Sequence, residues 1–284
     1  MASFNLKWLV VALVCMACRA APRPSAHVTP SRVVSLSPST TETVAALGAL
    51  RVLVGRSRYC DYPPEVLALP EVGGYVDPNL EAIVALEPQL VVGARGPGGR
   101  RIDDALRARS IDTYFPEASS IADILAMVRG VGQRLDRTEA AEQVATRIEA
   151  RLAEIAERTK TLDHPRVVLL FGVQPIVAAG PKSFGDELLS RAGARNAVTT
   201  GSAYPTLDVE ALAALDPDVI VDAAVGEEHG AQRITKGAMG WSRMRAVRDD
   251  HVVLVADEVV LRPGPRVAEG VATLAHALHP QVAF

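Results

Sequence analysis

The sequence predicts an α/β protein of two Rossmann-like lobes with parallel-type sheets, joined by a long backbone α-helix. Three observations carry this. The first is an internal repeat: residues 79–94 read NLEAIVALEPQLVVGA and residues 208–223 read DVEALAALDPDVIVDA, with seven of 16 positions identical. The offset of 129 residues is too long for a solenoid unit and suits two lobes built on one plan. The second is the alternation of strand and helix signals on both sides of the chain's middle, which implies parallel sheets. The third is residues 137–160, which hold neither Gly nor Pro. They carry one apolar stripe of Ala141, Val144, Ala145, Ile148, Leu152 and Ile155. As a helix this stretch runs about 36 Å, enough to span both lobes.

Each element has its own signal. Arg32–Leu36 reads as a strand, followed by a Ser37-Pro38-Ser39 turn and a helix over Thr40–Leu47 that Gly48 ends. Val52–Gly55 is a second strand. In the repeat, Leu80, Ile83, Val84 and Leu86 give the first helix its apolar side, and Val209, Leu212, Ala213 and Leu215 the second. Pro88 and Pro217 stop these helices. Leu90-Val91-Val92 and Val219-Ile220-Val221 are apolar without alternation, as expected of strands covered on both faces. Ile102–Arg109 is a helix and Ile111–Phe115 a strand. The later half continues with strand Arg166–Phe171, helix Phe184–Ala192 ended by Gly193, strand Val252–Val255 and helix Val267–Leu278. Between the halves, Ser119–Arg134 is helical, with Gly130 and Gly132 marking a weak point. Asp136 and Glu139 look like an N-cap and N3 pair for the long helix. The expected domains are an N-terminal lobe over 31–118, a helical connector over 119–162 and a C-terminal lobe over 163–284. A coiled-coil dimerisation arm is the competing reading of the long helix, but its stripe is short and Ala-rich, so the chain is expected to be a monomer.

The N-terminus is of another character. Lys7 precedes an apolar run from Trp8 to Ala17, and Arg19 ends the pattern. Ten apolar residues span about 15 Å as a helix, half a bilayer core. That length suits the hydrophobic region of a signal peptide over 1–21 and not a membrane span. Val14-Cys15-Met16-Ala17-Cys18 resembles a lipoprotein signal that ends before Cys18, which would then carry the lipid. Cleavage near Ala20 or Ala21 is the other reading. Pro22, Pro24 and Pro30 make an extended tether. The expected location is therefore the periplasm or cell envelope. After processing, Cys60 is the only internal cysteine, so neither an intrachain disulfide nor a thiolate zinc cluster can form. The net charge of −3 gives no electrostatic footprint for nucleic acid.

RVVSLSPSTTETVAALGA (32–49), VLVGRSRYCDYPPEV (52–66) and NLEAIVALEPQLVV (79–92) resemble the cobalamin- and iron-chelate-type periplasmic binding proteins, the helical-backbone receptors of ABC importers. LFGVQPIVAAGPKSFGDELLSRAGARNAV (170–198), GWSRMRAVRDDHVVLV (240–255) and RPGPRVAEGVATLAHAL (262–278) extend the likeness through the second lobe. The resemblance implies two lobes joined by a rigid helix, with solute bound between them and permease subunits as the membrane partner. The likeness is greatest to the cobalamin-binding members, through Tyr59-Cys60-Asp61-Tyr62-Pro63-Pro64 and Phe171-Gly172. It places Tyr59, Tyr75 and Tyr204 where those receptors present cleft aromatics. Tyr75 and Tyr204 stand in place of tryptophans, and Ala94, Val259 and Val260 in place of further aromatics. Haem or a ferric siderophore on the same scaffold is the alternative solute, and a tyrosinate can ligate Fe(III). A two-lobed α/β enzyme is the remote alternative.

The candidate residues follow. Tyr75 lies six residues before Glu81, and Tyr204 six before Glu210, so both halves keep an aromatic and then an acid. The tyrosines offer a flat apolar face and a polar tip to a corrin or porphyrin. Glu81 and Glu210 suit a helix N-terminus on dipole grounds alone. The resemblance further implies that this pair meets arginines of the permease subunits, as two equivalent acids would meet a two-fold symmetric partner. The glycine-rich loop 93–101 follows a strand, where α/β sheets place ligands, and Arg95 could meet an acidic or amide edge of the solute. Phe171 is an even choice between core and cleft. Glu258 and Arg262 are further solute-binding candidates, whereas Arg266 reads as a structural ion pair and Trp241 as a structural anchor.

No catalytic residue and no metal site is expected. Ser37-Pro38-Ser39 is not a nucleophile elbow, and the loop 93–101 is neither a Walker motif nor GxGxxG. His276 and His279 share an i,i+3 spacing at a helix C-terminus, where a positive group fits the dipole. No cofactor is expected beyond the bound solute.

Overall fold

A computed structural model of the chain describes residues 29–74, 76–95, 99–224, 234, 240–255, 258–260 and 262–284. The first lobe opens with β1 (Val33–Ser35) and α1 (Pro38–Ala46), then β2 (Leu53–Arg56), α2 (Leu80–Ala85), β3 (Leu90–Val92), α3 (Gly99–Arg107) and β4 (Asp112–Tyr114). Its strands pair in the order β2-β1-β3-β4, all parallel. β1 and β3 are buried along their whole length, which explains their unbroken apolar runs.

Two helices follow, α4 (Ile121–Arg134) and α5 (Thr138–Thr159). The second lobe contains β5 (Arg166–Val173), β6 (Ile176–Ala178), α6 (Phe184–Arg191), β7 (Arg195–Asn196), β8 (Thr206–Leu207), α7 (Val209–Leu215), β9 (Val219–Asp222), α8 (Arg245–Arg248), β10 (Val252–Leu254) and α9 (Val267–Leu278). Its sheet runs β10-β9-β5-β6-β8, with β7 also on β5. The parallel-type expectation holds for most of this sheet, which also carries two antiparallel strands. β10, β9, β5 and β7 are parallel, but β6 folds back antiparallel on β5, and β8 pairs antiparallel with β6. A turn of Gln174-Pro175 joins β5 to β6, too short for the crossover a parallel strand needs.

Five helices start by one rule. Ser37, Asn79, Ser120, Ser183 and Asp208 each accept a hydrogen bond from the backbone N–H three residues on. Gly48 and Gly193, at φ 66° and 81°, end α1 and α6 in the left-handed conformation.

The repeat is visible at atomic detail. Glu87 and Asp216, equivalent positions, both take positive φ, 46° and 40°, and so end α2 and α7 immediately before Pro88 and Pro217. Arg32 then donates to the carbonyls of Leu86 and Glu87, and Arg166 to those of Leu215 and Asp216. A cation thus meets the orphan carbonyls at the same helix end in both lobes. The equivalent Gln89 and Asp218 accept from the N–H of Ser31 and Arg166 at 2.7 and 2.8 Å.

Two local expectations are corrected in the connector. α4 runs unbroken through Gly130 and Gly132. A Cβ on Gly130 would overlap the Tyr114 hydroxyl, and one on Gly132 would overlap Ala141 of α5. These glycines are points of close approach, not of weakness. Asp136 is not the cap of α5, because it sits at φ 54° and the N-cap is Arg137 without a side-chain bond. Arg137 N–H instead bonds the Gly132 carbonyl at 2.7 Å, closing α4 as a glycine-type stop would.

α4 packs on α1 and on α5, and α5 on α6 and α9. One core therefore continues from Val33, Val44 and Leu53 through Met127, Val131, Ile148 and Ile155 to Leu169, Leu188 and Leu274. Each such side chain contributes roughly 1.5–3 kcal/mol by burial. Smaller clusters back the outer sheet faces: Ile83, Val91 and Leu106 in the first lobe, and Leu212, Ile220, Trp241 and Met244 in the second. Among the described residues, no helix is long and apolar enough to cross a membrane.

Candidate functional site

The carboxyl ends of the parallel strands place loops from both lobes where α/β proteins form ligand crevices. In the first lobe the loop after β2 carries Tyr59, which is 50% exposed. The Arg58 guanidinium lies 5.7 Å from the Tyr59 ring centre and is held by Asp77 at 2.7 Å. Gly74 is packed against Tyr59, Arg58 and Asp77, so a side chain there would collide with them. Cys60, the residue after Tyr59, is buried, and its Sγ accepts a hydrogen bond from the Thr41 hydroxyl at 3.0 Å. Burial pushes its thiol above the usual range, so it stays protonated and unreactive.

Behind this loop sits a network of buried hydroxyls. Ser37 Oγ lies 2.9 Å from Thr40 Oγ1 and accepts the Ala94 N–H at 2.9 Å, tying the end of β3 to the start of α1. Arg95 pairs with Glu117 at 2.8 Å while both stay about half exposed.

In the second lobe, the end of β5 places Phe171 against Tyr204 from the loop before β8. The rings meet edge to face, with centres 5.5 Å apart and planes at 67°. Phe171 is half-buried and Tyr204 is 51% exposed. Such pairs add about 0.5–1.5 kcal/mol. At the end of β9, Asp222 is buried and accepts from Ala224 N–H at 3.0 Å. Burial pushes its carboxyl above the usual range. The sequence reading passed over Asp222, although the repeat aligns it with Gly93 and so marks it as a polar residue gained at a strand end.

Arg262 sits at the join of the lobes. It forks onto Asp61 at 2.5 and 2.9 Å and reaches Glu42 at 3.3 Å. Arg262 holds the Asp61 carboxyl below its ordinary range. Arg266 pairs with Glu42 at 2.8 and 2.9 Å, the structural ion pair expected of it. Sequence reading missed Glu42 and Asp61 because their partners lie over 200 residues away.

Glu81 and Glu210 are exposed in the first turns of α2 and α7, where the macrodipole favours an acid. Trp241 is buried among Val168, Leu212 and Met244, as an anchor should be. His279 departs from expectation: it caps α9 but is 3% exposed, and burial lowers its pKa, so it does not serve the dipole as a cation. Tyr75, Cys18 and the side chain of Glu258 lie outside the described residues. Among the described residues no group of three or more His, Cys, Asp or Glu is placed to hold a metal ion.

The chain is similar to known proteins. A vitamin B12-binding protein of Photorhabdus laumondii is 28% identical over 245 residues, 86% of each chain. An uncharacterised ABC transporter substrate-binding lipoprotein of Bacillus subtilis is 29% identical over 258 residues, 88% of this chain and 81% of the relative. The crystal structure of a periplasmic heme-binding protein from Pseudomonas aeruginosa matches with a TM-score of 0.79 at 30% identity, over 89% of this chain and 94% of that one. Residues 33–259 match the family model for periplasmic binding proteins, and with the two-lobed fold this shows that the chain belongs to that family, the solute receptors of ABC importers.

Proposed function

We propose that the protein is an exported receptor that captures cobalamin, or a closely similar corrinoid, between its lobes and delivers it to an ABC importer. The observation that carries this is the set of exposed aromatic faces at the strand ends: Tyr59 on the first lobe and the Phe171–Tyr204 pair on the second. Flat apolar faces with polar tips suit a large ring system edged with amides. The vitamin B12-binding relative supports the same choice. Tyr75 would add a third face, and Arg95 and Glu258 would supply polar contacts at the rim, whereas Arg262 is engaged by Asp61 and Glu42.

Glu81 and Glu210 are proposed to meet permease arginines. Each is exposed on the equivalent helix of its lobe, so charge-assisted pairs could form without disturbing the solute site. Membrane proximity would come from a lipid on Cys18, in keeping with the lipoprotein relative, and the receptor acts as a monomer.

The test is a titration of the purified chain with cyanocobalamin and with haemin, each followed by visible absorption. The corrinoid reading predicts saturable binding of one cobalamin per chain that haemin does not displace. A second reading, haem as the solute, is favoured by the heme-binding structure from Pseudomonas aeruginosa and by tyrosine's capacity to ligate Fe(III). It predicts an iron-dependent charge-transfer band with haemin and no cobalamin binding.

A further inference from the structure

Glu42 is 1% exposed, yet it lies in α1 of the first lobe beside two cations from the second. A carboxylate taken out of water is tolerated only when its charge is matched and its oxygens are hydrogen-bonded. Both conditions are met across the lobe boundary. Arg266 donates from Nε and Nη2 to the two Glu42 oxygens, and Arg262 adds a third contact. Arg262 also forks onto Asp61, while the Arg266 guanidinium stacks 3.9 Å from the centre of the Tyr62 ring. Two acids and two arginines therefore close a neutral cluster, with the acids and the ring on one lobe and both arginines in the segment that leads into α9.

This cluster faces the helical connector across a cavity. The cavity has a volume of about 550 Å³, with Glu42, Tyr62 and Arg266 on one side and Val144, Ile148 and Arg151 of α5 on the other. The ion pairs thus tie the lobes beside the apolar seam that runs through α1, α4, α5 and α9. A directional ion-pair tie added to that seam restricts relative twisting more than the seam does alone. The cluster also reaches the solute-facing loop, because Asp61 and Tyr62 lie two and three residues after Tyr59.

We propose that Glu42, Asp61, Arg262 and Arg266 form an interlobe latch that fixes the angle between the lobes and positions the Tyr59 loop. All four act as positioning residues. The lobe-angle half is independent of the solute's identity. The loop half rests on the reading that Tyr59 meets the solute.

The experiment measures the distance between spin labels at positions 81 and 210 of the full chain, attached through an unnatural amino acid. Native protein is compared with Glu42→Gln, Asp61→Asn and Arg262→Gln, each checked for native circular dichroism. The latch predicts a narrow distance distribution in the native chain, and broadening or a shift of several ångströms in Glu42→Gln and Arg262→Gln. Should Glu42→Gln fail to fold, the Asp61–Arg262 fork, where Asp61 is half exposed, carries the test alone. An unchanged narrow distribution in the folded variants overturns the latch. A solute titration of the same variants reads the loop: affinity falling by at least ~10-fold supports positioning, and unaltered affinity in a variant with broadened distances overturns that half. If native protein binds neither cobalamin nor haemin, the functional reading fails while the label distances still decide the latch.

Discussion

At the scale of single residues, polar groups decide most of the chemistry, and their partners are often distant in sequence. The family likeness and the repeat point to Tyr59 and Tyr204, which stand 50% and 51% exposed, and leave Phe171 an even choice between core and cleft. That Phe171 meets Tyr204 was not legible, because it depends on β6 folding back and bringing the β8 loop over the end of β5. His279 gives a sharp case of burial overruling sequence position. Burial lowers its folded-state pKa, and the hydrogen bonds to the Gly193 and Ala192 backbone oppose this only in part. A group with a lowered pKa is neutral in the fold and takes up its proton more readily when unfolded. Stability is therefore full above the unfolded histidine value of about 6.5 and is lost as pH falls below it. Thermal melts of the native chain should show a midpoint that drops between about pH 7 and pH 5. His279→Gln should lessen that dependence. A native midpoint independent of pH over this window would contradict the assignment.

At the scale of elements, long periodic segments were read well and short ones poorly. Helix α9 occupies Val267–Leu278 as its apolar spacing predicts. β7 and β8 are two residues each, too short to show any period. Asp136 was read as a cap because acids favour that place, yet a left-handed residue was needed to stop α4, and Asp tolerates that conformation better than most. Gly130 and Gly132 look like a weak point because glycine lowers helix propensity, whereas the close packing of Tyr114 and Ala141 leaves no room for side chains there. Gly130→Ala should then destabilise the protein by roughly 1–3 kcal/mol through overpacking, despite alanine's better propensity. Urea unfolding reads this directly, and a stabilised Gly130→Ala chain would show that Tyr114 yields freely.

At the scale of the whole molecule, the repeat was the most informative feature of the sequence. It announced two lobes on one plan, and the matched Arg32 and Arg166 caps repeat that plan at the level of single hydrogen bonds. What it could not announce is how the lobes meet, since the Glu42, Asp61, Arg262 and Arg266 contacts exist only after both have folded. The outward-facing acids give a prediction at this scale. Reversing charge at Glu81 and Glu210 together should abolish solute uptake in cells carrying the cognate importer while leaving solute affinity within a few-fold of native. Uptake that survives the double reversal would remove their docking role.

The central claim is that solute is held by aromatic faces at the strand ends of both lobes. Calorimetric titration of the native chain, Tyr59→Ala and Tyr204→Ala with cyanocobalamin tests it most directly. The account predicts one site per native chain and at least ~10-fold weaker binding, about 1.4 kcal/mol, in each variant. Binding of native strength in both variants, or none at all by the native chain, would contradict it.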